Sequence, residues 1–246
     1  VTTLVRGSTL IYDEDEQQVT VAYLELPDPA YDVVQALKRI PYVEDARPSG
    51  MASRAKIIGY RGPSPLRGRR FCSAATLEEE DPEAHRLIMS YAAKVARYYE
   101  QYNPDLYADH QKQADKVLPE WKIEGSPFTS GIVNRDNQLA YHHDAGNFKN
   151  VWSNMLGFKY GVVGGYLNVP EYDLALEIAD NSLTMFDGQG LLHGVTPFRS
   201  TRKGSYRFTV VYYALKALWQ CKDPTENARA AARKRVELEE RRAGLA

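Results

Sequence analysis

Between Phe128 and Ala214 the chain is a succession of short apolar runs broken by Gly, Asn and Asp. Candidate strands are residues 131–135 (GIVNR), 139–144 (LAYHHD), 153–160 (SNMLGFKY), 165–169 (GYLNV), 174–179 (LALEIA), 182–187 (SLTMFD) and 206–214 (YRFTVVYYA). Runs this short and this closely spaced exclude a helical bundle. They predict a sandwich, jelly roll or barrel. The flanks read differently. Residues 19–26 predict a strand, 31–40 a helix stopped by Pro41, and 55–60 another strand. Residues 82–102 predict a long helix that Asp81 caps and Pro82 opens, with Leu87, Tyr91, Val95 and Tyr98 as its apolar stripe. Residues 107–118 predict a further helix, stopped by Pro119. His85 and His110, both on these helices, read as surface residues. The expected fold is therefore α+β. Its β-rich core spans 128–215. Residues 1–127 supply supporting strands and helices, 223–243 form a C-terminal helix, and all 246 residues form a single catalytic domain.

Net charge is −1, so bulk charge gives no reason to expect a polyanion partner. Its distribution is uneven. From Arg54 to Arg70 there are six basic residues and no acidic one, and the segment 61–70 (RGPSPLRGRR) reads as a loop. Two cysteines, Cys72 and Cys221, are too few for a disulfide framework or a zinc site, which points to a reducing compartment. No apolar run reaches the length of a membrane span, and residues 1–16 are polar and acidic. The expected location is cytoplasmic, with no membrane partner and a monomeric state.

The chemistry concentrates in His142-x-Asp144, His193 and Arg207. In a strand, residues i and i+2 share a face, so His142 and Asp144 project together. His193 follows the run 182–187 and a Gly188-Gln189-Gly190 turn. Two imidazoles and a carboxylate are the ligand set of a non-haem Fe(II) oxygenase, which leaves positions for O2 and a chelating co-substrate. Alternation in 206–214 puts Arg207, Thr209 and Val211 on one face. An arginine inside an apolar strand needs an anionic partner. A carboxylate held by the guanidinium, with the Thr209 hydroxyl beside it, supplies one, and 2-oxoglutarate fits. Arg199 and Arg202 are rival anchors, but they lie in a polar turn and should face solvent.

The segments around these residues resemble the TET/JBP group of 2-oxoglutarate oxygenases, which hydroxylate the 5-methyl group of pyrimidines in DNA. His142-His143-Asp144-Ala145-Gly146-Asn147 is similar to the group's His-x-Asp-x-x-Asn segment. Gly164-Gly165-Tyr166-Leu167 and Pro170-Glu171-Tyr172 resemble its Gly-Gly-x-Leu and Pro-Glu-Tyr segments. Phe186-Asp187, His193-Gly194-Val195-Thr196-Pro197 and Tyr206-Arg207-Phe208-Thr209 resemble later strands of the JBP side. The resemblance covers roughly Phe128 to Ala214 and implies that the core at 128–215 is a jelly roll of the double-stranded β-helix type. Compact members of this kind occur in bacteriophages. The cysteine-rich zinc-binding region of animal TET enzymes has no counterpart here.

The resemblance implies that His142, Asp144 and His193 bind Fe(II), that Arg207 binds 2-oxoglutarate, and that Asn147 contacts the target base. The implied substrate is 5-methylcytosine in DNA, giving 5-hydroxymethylcytosine with further oxidation in reach. An Asn amide both donates and accepts, so thymine remains an alternative target. A base inside a duplex must flip out to reach such a site and be sandwiched by apolar or aromatic groups. Trp152 is the leading candidate for that role, ahead of Phe158 and Tyr160. Arg61, Arg67, Arg69, Arg70 and Lys149 are candidate DNA contacts. The competing readings are a 2-oxoglutarate oxygenase acting on a protein side chain or small metabolite, and a metal-binding barrel in which a protein carboxylate neutralises Arg207.

Overall fold

The computed structural model describes residues 3–15, 17–42, 44–46, 52–65 and 68–242. Its centre is a nine-stranded sheet built on strand Tyr206–Tyr213, which lies between Ser153–Tyr160 and Ser130–Arg135. Beyond Ser153–Tyr160 come Ser182–Phe186, Val19–Glu25 and Thr9–Tyr12. Beyond Ser130–Arg135 come Ala52–Arg61 and Glu44–Ala46, and Ser73–Ala74 also pairs with Ala52–Arg61. All these pairings are antiparallel. A second sheet orders Thr3–Val5, Leu174–Leu176, Leu167–Val169 and Gly194–Val195. The architecture is α+β of the double-stranded β-helix type, one of the β architectures that the strand spacing allowed and the one that the resemblance implied.

Side-chain alternation sorts the central strand into two jobs. Phe208, Val210 and Tyr212 point to one face, where they join a core with helices Tyr31–Arg39 and Pro82–Tyr102. Val133, Leu156, Phe158, Leu183 and Met185 join the same core. On the opposite face, Met155 and Phe186 pack with Leu167, Val169, Leu174 and Leu176 of the second sheet. The main sheet is thus apolar towards the helices and part apolar, part polar towards the second sheet. That second interface holds the cavity.

Helix Pro82–Tyr102 has the predicted bounds, and the Asp81 side chain accepts from Ala84 N as its cap. Its buried face is not the predicted stripe. Ala84, His85, Ile88, Ala92, Val95, Ala96 and Tyr99 are buried, whereas Leu87, Tyr91 and Tyr98 lie at the margin of the core. Small alanines, overlooked in a search for large apolar groups, let the helix approach the sheet. The next helix is Pro104–Ala114 rather than 107–118, because Asn103 caps it by accepting from Leu106 N. Residues 139–144 are not a strand. Within them only His142 makes a ladder contact, a single bridge to His193. The strand expected over 55–60 is present within Ala52–Arg61, which covers the first part of the basic segment. The C-terminal helix runs Pro224–Arg242.

Neither helix histidine is on the surface. His85 is buried and its Nε2 accepts from Gly59 N at 3.0 Å. His110 sits among Tyr99, Phe128 and Phe148, and neither ring nitrogen has a partner. Amphipathic helix patterns do not separate a buried neutral imidazole from an exposed one. The cysteines are also paired. Cys72 and Cys221 form a disulfide although 149 residues separate them. Two cysteines suffice for one bond once the fold brings them together, so the expectation of free thiols, and the reducing compartment drawn from it, loses its basis. No helix among the described residues is long and apolar enough to cross a membrane.

Burial pushes the His110 pKa down from 6.5 to about 3. The unfolded chain therefore takes up a proton below about pH 6.5 that the folded one refuses until far lower, and stability contributed by the neutral ring is lost as pH falls through that window. His110→Phe keeps the aromatic packing and removes the titration. Denaturant unfolding across pH 7 to 4 should show a shallower loss of stability for the variant than for the parent.

Candidate metal centre

His142 and His193 are locked together by their backbones. His142 N donates to His193 O at 2.9 Å, and His193 N donates to His142 O at 3.0 Å. Their rings lie 4.4 Å apart between centroids. Each ring is held in the same way. His142 Nδ1 lies 2.8 Å from Ala140 O, and His193 Nδ1 lies 3.0 Å from Leu191 O. A carbonyl can only accept, so each Nδ1 carries the proton and each Nε2 presents a lone pair. Asp144 completes the group. Its N donates to Gly188 O at 2.8 Å, and its Oδ1 lies 3.7 Å from His142 Nε2. One potential ligand atom from each of the three residues falls within 4.8 Å of the others.

The turn Gly188-Gln189-Gly190 supports this group from behind. The Asp187 carboxylate accepts from Gln189 N and Gly190 N, which closes the turn. A Cβ on Gly188 would stand 2.5 Å from Asp144 Oδ2, so glycine there is the condition for the carboxylate's position. His143 points away from the group, as expected, with its Nδ1 3.2 Å from Gln189 O. Burial lowers the His193 pKa, against the opposing pull of Asp144, and so favours the neutral ring that ligates metal.

A cavity of about 190 Å³ opens beside the three residues. Arg207, Thr209 and Val211 all line it, as the alternation predicted, together with Asn147 and Ser153. Arg207 is 3% exposed, and its Nε has no hydrogen-bond partner. Among the described residues its guanidinium makes no ion pair. Asp136, the neighbouring carboxylate, instead accepts from Arg207 N through Oδ1. Burial lowers the Arg207 pKa to about 10, opposed by Asp136, so the group stays charged near neutrality. A cation in an apolar wall without its anion is the mark of an acidic ligand site. Gly165 makes room for it, since a Cβ there would lie 3.0 Å from Arg207 Nε. Arg199 and Arg202 are exposed, as expected, although Arg199 lies in strand Phe198–Ser200 and not in a turn.

Several other expectations are rearranged. Trp152 does not face the cavity. It is buried in the helix-side core, stacked on Tyr99 at 5.0 Å between centroids, because its place before Ser153 turns it to the opposite face. Phe158 lies in the same core, and Tyr160 is exposed beside Tyr206. Arg61 braces its own hairpin, donating to Ala74 O and Ser73 Oγ, and Arg69 Nε donates to Gly62 O. Arg70 and Lys149 are exposed, and Arg67 lies outside the described residues. The sequence reading passed over Asn134 and Asn137, both of which line the cavity. Asn134 could have been found, because alternation in 131–135 places it with Ile132 on the face opposite Val133.

Two imidazoles and a carboxylate beside a buried unpaired guanidinium are the donor set for an iron that shares its site with an acidic ligand. Comparison with known families decides which. Residues 59–216 match the Tet_JBP family model, the oxygenase domain of the 2OGFeDO superfamily. The chain belongs to the Tet/JBP family. It is a 2-oxoglutarate- and Fe(II)-dependent oxygenase, an oxidoreductase by class. No curated protein matches it. Among solved structures, NgTET1 in complex with 5mC DNA shares the fold with a TM-score of 0.65 and 16% identity, over 94% of this chain and 86% of that one. A 2OG-Fe(II) oxygenase family oxidoreductase from Burkholderia pseudomallei gives a TM-score of 0.46 and 15% identity over 79% of this chain and 83% of its own. The viral collagen prolyl hydroxylase of Paramecium Bursaria Chlorella virus-1, a 2OG complex, gives 0.43 and 12% over 80% and 97%.

Gly188→Ala tests the metal group without touching a ligand. The added methyl should displace Asp144 and weaken Mn(II) binding on the order of ten- to a hundredfold, the range for lost ligand support. Calorimetric titration reads the affinity, and thermal melting checks that the fold is kept.

Proposed function

We propose that this enzyme hydroxylates the 5-methyl group of 5-methylcytosine in DNA to give 5-hydroxymethylcytosine, with further oxidation at the same site. In this reading all 246 residues act as one catalytic unit. His142, Asp144 and His193 hold Fe(II), and Arg207 with Thr209 holds the far carboxylate of 2-oxoglutarate. When bound, iron and the 2-oxo acid together supply the oxidising power needed to hydroxylate an unactivated C–H bond with O2.

The observation that carries the substrate is the position of Asn147. Its side chain is buried and lines the cavity of the His/Asp group. Its loop is pinned by a bridge between Asn147 and Leu215, and by Asp144 N on Gly188 O. Asn147 Nδ2 lies 3.4 Å from Ser153 Oγ. A serine hydroxyl donates as readily as it accepts, so the amide can present either its oxygen or its nitrogen to a ligand. The oxygen fits the 4-amino group of 5-methylcytosine, and the nitrogen fits the 4-carbonyl of thymine, so thymine is the second substrate to test. Likeness to NgTET1 over most of both chains supports DNA as the polymer, since that protein was solved with 5mC DNA. The target base must leave the duplex to reach a cavity of this depth. Apolar cavity residues such as Leu139, Val195 and Leu215 replace Trp152 as the groups available to face it. Exposed Arg70 and Lys149 are the basic side chains free of the loop's own bracing and are proposed to meet phosphates.

Incubation with Fe(II), 2-oxoglutarate and DNA carrying cytosine, 5-methylcytosine or thymine, followed by nucleoside mass spectrometry, should yield 5-hydroxymethylcytosine. His142→Ala and Asp144→Ala should each abolish it. Consumption of 2-oxoglutarate with no modified base in any DNA would shift the substrate to a protein side chain or small metabolite. Neutralising Arg70 and Lys149 together should reduce the slope of log affinity against log salt by roughly 2. An unchanged slope would remove both from the DNA surface.

A further inference from the structure

The sheet register aligns Ala55, Asn134 and Thr209 across three adjacent strands. Asn134 and Thr209 are buried and share the cavity wall with Arg207, and Asn137 is buried in the turn that follows strand Ser130–Arg135. Hydrogen bonds connect these residues in series. Arg54 N donates to Asn137 Oδ1 at 2.8 Å. Asn137 Nδ2 donates to Arg54 O at 3.3 Å and to Asn134 Oδ1 at 3.0 Å. Asn134 Nδ2 then donates to Thr209 Oγ1 at 3.1 Å.

The direction of this series is set at its outer end. A side-chain amide can be turned end for end, but a backbone N–H cannot. Arg54 N–H requires the oxygen of Asn137 opposite it. The nitrogen of Asn137 must then face Asn134, whose oxygen receives it. The nitrogen of Asn134 is left to face Thr209. Thr209 Oγ1 thus accepts a hydrogen bond from Asn134 Nδ2 on one lone pair, and no described residue accepts its own O–H. That hydrogen is left for a ligand in the cavity.

We propose that Asn137 and Asn134 are positioning residues that hold the Thr209 hydroxyl as a donor, so that Thr209 and Arg207 together select a 2-oxo acid ending in a carboxylate. The proposal rests on the reading of Arg207 as the 2-oxoglutarate anchor. A carboxylate has only acceptors, so every group that faces it must donate. Arg207 does so by its chemistry. Thr209 does so only because the relay removes its alternative orientation. A ligand of the same length with an apolar end would gain nothing from either residue.

The test compares 2-oxoglutarate with 2-oxopentanoate, which has the same chain length and no far carboxylate. Binding to the Mn(II)-loaded protein is measured by calorimetry. Asn134→Leu and Asn137→Ala should each weaken 2-oxoglutarate about tenfold, the size of one hydrogen bond to a charged group, and alter 2-oxopentanoate by roughly twofold at most. Thr209→Val should show the same loss, and Thr209→Ser should restore binding. Adding Asn134→Leu to Thr209→Val should cost nothing more, because the relay acts through the hydroxyl. Should Asn137→Ala fail to fold, Asn137→Ser keeps an acceptor for Arg54 N and carries the same expectation. Equal weakening of both ligands, additive losses in the double variant, or no loss at all overturns the relay. If the parent binds Mn(II) but not 2-oxoglutarate, the Arg207 reading fails and takes the relay with it. If Arg207→Lys weakens 2-oxoglutarate and the relay variants do not, the relay fails alone.

Discussion

A guanidinium buried without an anion among the described residues is the constraint around which the rest of this cavity is arranged. Arg207 is set in the central strand of the main sheet, with core residues on either side in sequence. Moving its charge out of water is costly unless something compensates. The protein compensates only in part. Asp136 lies near but is engaged with the Arg207 backbone, and Phe198 offers its ring at 5.9 Å. The remaining demand is directed into the cavity, where the proposed 2-oxoglutarate carboxylate would meet it. In that proposal, stability withheld from the free protein becomes binding energy for the co-substrate.

The metal group obeys a different logic. A regular strand carrying His142 and Asp144 would continue its hydrogen bonds into a neighbour. Here the segment 139–144 instead makes one reciprocal backbone pair with His193, accepts one bond from Val195 N at Leu139 O, and donates one from Asp144 N to Gly188 O. Irregular backbone gives each ligand its own support: a carbonyl behind each imidazole and a glycine turn behind the carboxylate. Asn147 belongs to the same loop, so the proposed base-reading group is placed by the same contacts that place the His/Asp group. Under that proposal, metal and base recognition are coupled through a few residues of chain.

The strands that form the sheet were legible because alternation is strict where one face meets helices and the other meets the cavity. The strands 153–160 and 206–213 illustrate this. The same alternation put Arg207 and Thr209 on the face that lines the cavity, and would have put Asn134 there too. What misled was position outside regular structure. His142 and Asp144 were assigned to a strand that does not exist, yet their proximity held because backbone contacts to His193 and Gly188 enforce it. Trp152 was misplaced by one step of alternation, which turns a side chain to the opposite face. His110 and the Cys72–Cys221 pair depend on contacts between segments distant in sequence, for which local pattern carries no signal.

The central claim is that one cavity holds the metal at one end and a carboxylate at the other. Crystals grown anaerobically with Mn(II) and 2-oxoglutarate test it directly, with anomalous scattering locating the ion. The account predicts the ion against His142 Nε2, His193 Nε2 and the Asp144 carboxylate, with the far carboxylate of 2-oxoglutarate on Arg207 and Thr209. An ion bound elsewhere, or a 2-oxoglutarate whose far carboxylate avoids Arg207, would contradict it.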